Sequence, residues 1–389
     1  MTFIEQIENC IPDLPDSAIP WDRIDRLLVG TCFTDTKTTH QDPVFHGEDD
    51  VYTHTRMVCE ELAGDQRFHA LPRRQKSEIF LAAILHDIGK VKTTKREGES
   101  WVSPHHALTG SKMVRSFLWQ ECGLCGTVES IVFRETVCAL VRHHMRPLYL
   151  AERSDSERRI RETASEGELA KDFTLNLLYL LAEADVRGRI AGDIPEGLGR
   201  IELAGLMTAD LGCLHGPYRF AGDYTKRAYF SGRNVLPDQK LFDDSWGEVI
   251  ILSGLPGTGK DTWIRQNAPD RPVVSLDHIR AELKIRPEGN QGAVVQAARE
   301  RAREHLRKKE PFVWNATSLM PETRQKLTGL FENYGARVRI VYLETDLKTR
   351  ESRNAGRPDC VPENTVARMI ERTVPPFPKE AQTVEWICV

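Results

Sequence analysis

"GLPGTGKDTW", residues 254–263, decides the fold of the C-terminal part of this 389-residue chain. Just before it, "EVIILSG" (248–254) is a short apolar run closed by glycine, the pattern of a buried parallel strand. Gly254, Gly257 and Gly259, with Thr258 between them, let successive backbone N–H groups wrap phosphates at the start of a helix. Lys260 can reach the β- and γ-phosphates of a nucleoside triphosphate. After the Gly-Lys pair such a loop wants Ser or Thr, whose hydroxyl meets Mg²⁺. Here the position is Asp261, followed by Thr262. Asp261 is expected to supply a metal ligand directly or through water, with the Thr262 hydroxyl as the competing explanation.

Outward from the loop, apolar runs recur at 272–277 ("PVVSLD"), 311–317 ("PFVWNAT") and 337–344 ("RVRIVYLE"), with amphipathic helices before and after the 311–317 run. Strands alternating with helices predict a doubly wound parallel α/β domain. Upstream, "VYTHTRMVCEEL", "QKSEIFLAAILHDIG", "ALTGSKMVRSFLWQECG", "ETVCALVRHHM" and "DFTLNLLYLLAEADVRGR" space apolar residues three or four apart, as a helical bundle requires. The expected domains are therefore 1–244, all-α, and 245–389, α/β.

Hydrophobic content of 40% and charged content of 28% fit a globular protein. No apolar run is long enough to span a bilayer and the first residues lack a signal-peptide pattern, so the expectation is a cytoplasmic protein without a membrane partner. Nine cysteines without framework spacing indicate reduced thiols, and the lone Cys122/Cys125 pair is read as packing rather than zinc or redox chemistry. Residues 245–389 hold 23 Lys and Arg against 19 Asp and Glu, whereas residues 1–244 hold 30 against 38. The basic part is the one with the phosphate loop.

"SLDHIR" closes the second strand and sets Asp277 and Arg280 on one helical face. A carboxylate there can take a proton from an attacking hydroxyl, and the arginine can hold a phosphate of the acceptor. "TRESRNAGRP" supplies Arg350, Arg353 and Arg357 as a candidate lid, with Arg350 read as a solvated side chain. "GLPGTGKDTW", "SLDHIR", "VWNAT" and "RNAGRPDCVP" together resemble the motifs of 5′-OH polynucleotide kinases of the end-healing type. The resemblance implies that Lys260 binds donor phosphates and Asp277 is the general base for the 5′-OH. It further implies that Arg280 holds the acceptor phosphate and that Arg357, with Arg353, serves the lid. Asp261 and Asn315 depart from that family, which often carries a hydroxyl and an Asp at these places.

In the first domain, His54, His86, Asp87, His106, His144 and Asp185 each fall on or beside a predicted helix. Inward-facing imidazole and carboxylate groups in a bundle form metal sites and suit Mn, Fe, Co, Ni or Zn. Their order resembles HD-domain phosphohydrolases, which implies one ion on His54, His86, Asp87 and Asp185 and a second on His106 and His144, with Asp87 also counted among the catalytic groups. His105 and His143 compete with their neighbours; the register of His106 against Gly110 favours His106 over His105. Lys90, Arg142, Arg146, Arg187 and Arg189 are candidate phosphate contacts, each with a solvated alternative. "FHGEDDVYTHTRMV" and "LLAEADVRGR" resemble the HD domain of CCA-adding enzymes, which implies an RNA-end substrate.

Both parts together resemble bacterial HD-domain polynucleotide kinases over about residues 45–375, an α + α/β two-domain fold. The implied function is healing of nucleic-acid ends: removal of a 2′-phosphate or opening of a 2′,3′-cyclic phosphate, and phosphorylation of a 5′-OH. Implied partners are single-stranded RNA or DNA ends, ATP or GTP with Mg, two divalent transition-metal ions, a functionally linked ligase and, as an option, a second copy in a homodimer. Two rivals stand beside this reading: an HD nucleotide hydrolase fused to a nucleoside or metabolite kinase, and a non-catalytic nucleotide sensor. Residues 190–244 read only as a helical extension and linker, in which "GPYRFAGDYTKRAYF" has either the composition of a nucleic-acid contact or that of a packing surface.

Overall fold

The computed structural model describes residues 1–15, 17–286, 289–357 and 359–389. The chain forms two compact units, 1–124 with 131–218, and 219–389 with 125–130. Residues 219–244, expected to end the first domain, cluster with the second unit. Arg227 gives the reason: its guanidinium donates twice to Glu332 and once to the Lys379 carbonyl oxygen.

Three helices build the centre of the first unit. Arg73–Leu85 is buried continuously from Ser77 to Leu85, as an element apolar on most sides must be. Val51–Gly64 buries Val51, His54, Thr55, Val58, Cys59 and Leu62, one stripe at helical spacing. Its start is fixed by Asp50, whose carboxylate accepts from the Thr53 N–H at 2.8 Å. Thr174 caps Leu175–Arg187 through the Leu177 N–H. Packing of these helices on one another collects positions 54, 86–87 and 185 in one place.

Helix His106–Gln120 adds the next side chain through a close backbone approach. A Cβ on Gly89 would stand 2.0 Å from the His106 carbonyl oxygen, so only glycine lets the His106 turn lie against the turn that carries Asp87. Helix Val128–His143 ends at the same centre.

One feature of this unit departs from the helical expectation. Strands β1 (Lys95–Glu97) and β2 (Ser100–Val102) form an antiparallel hairpin, turned at Gly98 with φ +64°. The segment expected to be a helical extension and linker contains, in agreement, the helix Ile194–Asp210.

In the second unit, β3 (Glu248–Ser253), β4 (Val273–Ser275), β5 (Val313–Asn315), β6 (Arg337–Glu344) and β7 (Thr383–Cys388) form one sheet in the order β4-β5-β3-β6-β7. All pairings are parallel. From β3 the chain crosses to β4 and β5 on one side and later to β6 and β7 on the other. The crevice at the carboxyl end of β3 is therefore the switch point where ligands of such sheets bind. Four strands lie where the apolar runs were read; β7, half-buried along its length, was not anticipated.

Phe220 packs against both Tyr229 and Phe230, with ring centroids 5.4 and 5.2 Å apart. With Arg227 held by Glu332 and Tyr224 bonded to Asp244 at 2.9 Å, "GPYRFAGDYTKRAYF" spends most of its aromatic groups and Arg227 on packing, while Arg219 is exposed.

Candidate functional sites

In the first unit the six expected metal-binding side chains converge. His54 Nε2 lies 3.1 Å from Asp185 Oδ1 and 3.3 Å from His86 Nε2. Asp87 turns one oxygen each way: Oδ2 is 3.3 Å from His86 Nε2, and Oδ1 is 3.3 Å from His106 Nε2 and 3.7 Å from His144 Nε2. Two sets of ligand atoms thus share Asp87, one with His54 and His86, the other with His106 and His144.

The far ring nitrogens explain why the near ones converge. His86 Nδ1 donates to the Ala83 carbonyl at 2.8 Å, His106 Nδ1 to Ser103 at 2.9 Å, His144 Nδ1 to Val141 at 2.8 Å and His54 Nδ1 to Gly188 at 3.0 Å. A carbonyl only accepts, so each Nδ1 carries a proton, and His86, His106 and His144 present Nε2 lone pairs to the cluster. His106 and His144 bring those nitrogens within 3.4 Å of each other, and the buried Asp87 Oδ1 has no hydrogen-bond partner. Lone pairs facing lone pairs around an orphaned carboxylate oxygen fit divalent cations.

Electrostatics agree. Burial and the neighbouring His86 push His144 down to about 3, keeping it neutral. Burial alone would lower His54 too, but the Asp185 and Glu48 carboxylates outweigh it and push it up to about 9. Without a cation His54 therefore holds a second proton against Asp185, and a cation would take that proton's place.

The ambiguous pairs separate by geometry. His105 is exposed at a left-handed residue, φ +56°, while His106 faces Asp87. His143 turns away, with Nε2 3.0 Å from Glu166 Oε1, and His144 joins the cluster. Of the basic candidates, Lys90 donates to Asp87 Oδ2 at 2.7 Å and to Gln41 Oε1 at 2.6 Å, and Arg189 lines the same 490 Å³ cavity. Arg142, Arg146 and Arg187 are tied to Glu166, Thr163 and Glu183.

Sequence reasoning missed Glu48 and His46 as part of the site. Buried Glu48 lies 3.0 Å from His54 Nδ1 and 2.8 Å from His46 Nδ1, holding the His54 ring in place. The "HGED" run of the quoted 45–58 stretch was the available signal.

In the second unit the phosphate loop leaves β3 with Gly254, Gly257 and Gly259 at φ +152°, +85° and +84°. A Cβ on Gly257 would lie 2.5 Å from the Arg350 carbonyl oxygen, which is why no other residue fits there. Thr258 braces the loop from within, its buried hydroxyl donating to Leu255 at 2.8 Å. Lys260 Nζ curls back onto the Gly254 and Leu255 carbonyls at 3.0 and 2.8 Å; burial, and then the Arg357 charge, push it down to about 8.

Lys260, Asp261, Thr262, Asp277, Asn315, Arg353 and Arg357 line one 550 Å³ cavity beside Gly257 and Gly259. Asn315 Nδ2 donates to Asp261 Oδ1 at 2.7 Å, so the two positions that depart from the resembled family are bonded to each other. The Thr262 hydroxyl instead accepts from Arg265 at 3.0 Å. Asp277 is held from both sides, Oδ1 by Arg280 at 2.6 Å and Oδ2 by Arg357 at 3.0 Å. Burial would raise its carboxyl, but these guanidinium groups keep it below the usual range.

Arg350 corrects the expectation of a solvated side chain. It is 4% exposed and pairs with Glu363, bracing the segment that backs Gly257. Pro358 of the "RNAGRPDCVP" motif lies outside the described residues. All nine cysteines are free thiols.

Residues 50–185 match the family model of the HD domain, and residues 249–376 that of an AAA domain. No curated protein matches the chain. The chain joins an HD phosphohydrolase domain to a P-loop kinase-like domain. Among the described residues no helix is long and apolar enough to cross a membrane.

Proposed function

We propose that this chain heals nucleic-acid ends, its second unit phosphorylating 5′-OH termini and its first removing 2′-phosphates or opening 2′,3′-cyclic phosphates. The observation that carries the reading is Asp277, a depressed-pKa carboxylate in the phosphate-loop cavity clasped by two arginines of different segments. A carboxylate in that place serves a hydroxyl acceptor, and Arg280 one turn on suits an acceptor that itself bears a phosphate, as a polynucleotide end does.

The donor phosphates draw Lys260 from the loop carbonyls, and the loop N–H groups hold them at the helix start. Asp277 takes the proton of the 5′-hydroxyl as its oxygen bonds to the γ-phosphorus and the bond to the β–γ bridging oxygen breaks. The products are a 5′-phosphate and a nucleoside diphosphate. Arg357 and Arg353 spread over the transferring group and offset its charge. Asp261, oriented by Asn315, would hold Mg²⁺, which supplies further charge neutralisation.

In the first unit, divalent ions held by His54, His86, Asp87 and Asp185, and by Asp87, His106 and His144, would supply activated water and neutralise phosphate oxygens. Lys90 and Arg189 are placed to bind the remaining phosphate oxygens, and Glu48 keeps His54 turned to the centre. Water adds across one P–O ester bond, freeing a hydroxyl and leaving a phosphate. A 3′-OH and a 5′-phosphate are the ends a ligase joins.

The test is a single-stranded RNA with a 5′-OH and a 2′,3′-cyclic phosphate, given labelled nucleoside triphosphate, Mg²⁺ and a transition metal. Asp277→Ala should lose only 5′ labelling and Asp87→Ala only end opening. Wild type that leaves both ends unchanged and acts on free nucleosides and nucleotides instead would replace this reading with the small-molecule one.

A further inference from the structure

The cavity over the metal-binding cluster, at 490 Å³, falls in the range of sites that engulf a small organic ligand rather than a bare phosphate. Beyond His106 and Asp185 its wall includes Phe45 and Tyr149, which are 51% and 52% exposed. Trp101, the third aromatic of the wall, is already stacked on His40 with centroids 5.3 Å apart. Phe45 and Tyr149 keep about half their surface bare beside the most polar centre of the unit.

Both rings stand on fixed backbone. The Phe45 N–H bonds to the Asp42 carbonyl at 3.1 Å, and the N–H of Gly47, two residues on, bonds to the Ile190 carbonyl at 2.9 Å, tying this segment to the one that carries Asp185 and Arg189. Tyr149 sits on the helix Arg146–Leu150, which packs on Ile194–Asp210. The contact is close at Gly197, where a Cβ would meet Val186 at 3.1 Å and Leu148 at 3.5 Å. On that second helix Glu196 lines the cavity too, and Arg200 is engaged by Glu152 and Glu196. Bare aromatic rings, beside an Arg200 already paired with carboxylates, suit an uncharged, flat group.

We propose that Phe45 and Tyr149 form a nucleobase platform, so that the first site takes a terminal nucleotide with its base stacked on these rings and its phosphate turned to Lys90 and the metal ligands. The inference rests on the end-hydrolysis reading above and adds where the terminal base is read. Base–aromatic stacking tolerates every base, because each has a π-face, so the platform selects for a base without selecting its sequence.

The experiment compares oligonucleotides ending in a 2′,3′-cyclic phosphate on an ordinary and on an abasic terminal nucleotide, with a 2′,3′-cyclic mononucleotide as a third substrate. Wild type should show a KM about tenfold or more lower for the ordinary than for the abasic end. Phe45→Leu and Tyr149→Leu, in full-length protein with the metal content of wild type, should each shrink that ratio, and together bring it to about one. Tyr149→Phe, which keeps the ring, should keep the ratio. The cyclic mononucleotide should follow the ordinary end if the platform reads the terminal base alone. Equal KM values for ordinary and abasic ends in wild type, or leucine variants that retain the ratio, would overturn the platform while leaving the end-hydrolysis reading intact. Wild type that opens no cyclic phosphate would overturn both.

Discussion

Asp87→Asn changes one atom at the centre of the first unit and tests whether that carboxylate organises it. Asp87 is 2% exposed, its Oδ2 is 2.7 Å from Lys90 Nζ, and its Oδ1 faces His106 and His144 without a hydrogen bond. Removing one partner of a buried ion pair costs about 3–5 kcal/mol, because the other charge is left uncompensated. Losing even an outer partner of a metal ligand costs about 10–100-fold in affinity, so losing a carboxylate shared by both ligand sets should cost more. The expected protein is depleted of transition metal by elemental analysis and inactive on 2′,3′-cyclic phosphate ends. It should unfold at lower temperature than chelator-treated wild type and retain 5′ phosphorylation. Adding Lys90→Met removes the orphaned ammonium, so the double variant should recover stability but neither metal nor end opening. Full metal content and full end opening in Asp87→Asn would refute the assignment of the cluster.

Three further outcomes follow from the same geometry. Asp261→Ser should raise the Mg²⁺ concentration needed for 5′ phosphorylation and lower its rate at least about tenfold, the low end for loss of a group that supports a bound metal; an unchanged Mg²⁺ titration would assign the role elsewhere. Arg357→Ala removes a cation 3.0 Å from Asp277, so the Asp277 carboxyl should bind its proton more tightly and the acid limb of the kinase pH–rate profile should move to higher pH. A limb that stays in place would mean that Asp277 is not the titrating base. Glu78 is buried with one carboxylate oxygen lacking a hydrogen bond, and burial, with Asp172 adding, raises its pKa well above the ordinary carboxylate range. The folded protein thus holds a proton that the unfolded chain releases near pH 4.5, and stability falls as pH rises from there through the folded value. Glu78→Gln should raise the melting temperature of the first unit more at pH 8 than at pH 5, and a loss at pH 8 would contradict this.

Much of the architecture was legible because its signals are local. A strand, three glycines and a lysine before a helix specify a phosphate loop wherever they occur, since backbone N–H geometry and φ are properties of a few consecutive residues. Helical spacing of apolar residues marked the bundle helices, and runs of β-branched residues marked β3 to β6. The strand β7 escaped because it is an edge strand half-buried throughout, with no continuous apolar run to announce it.

The order of His54, His86-Asp87, His106, His144 and Asp185 could be read along the chain, but adjacent histidines could not be told apart there. His143 and His144 differ by one residue, hence by about 100° around a helix, and only the packed bundle says which direction is inward. Glu48 and His46 were likewise decided by folding, since a loop has no period from which to infer what it faces. The same holds for Arg350, whose Arg-rich neighbourhood suggests solvent until Glu363 and the phosphate loop close over it. By itself the sequence determined which chemistries the chain can carry, because residue type and short-range backbone geometry belong to it. Which side chain meets which depends on contacts between residues as far apart as His54 and Asp185, and those exist only once the helices have buried their apolar faces together.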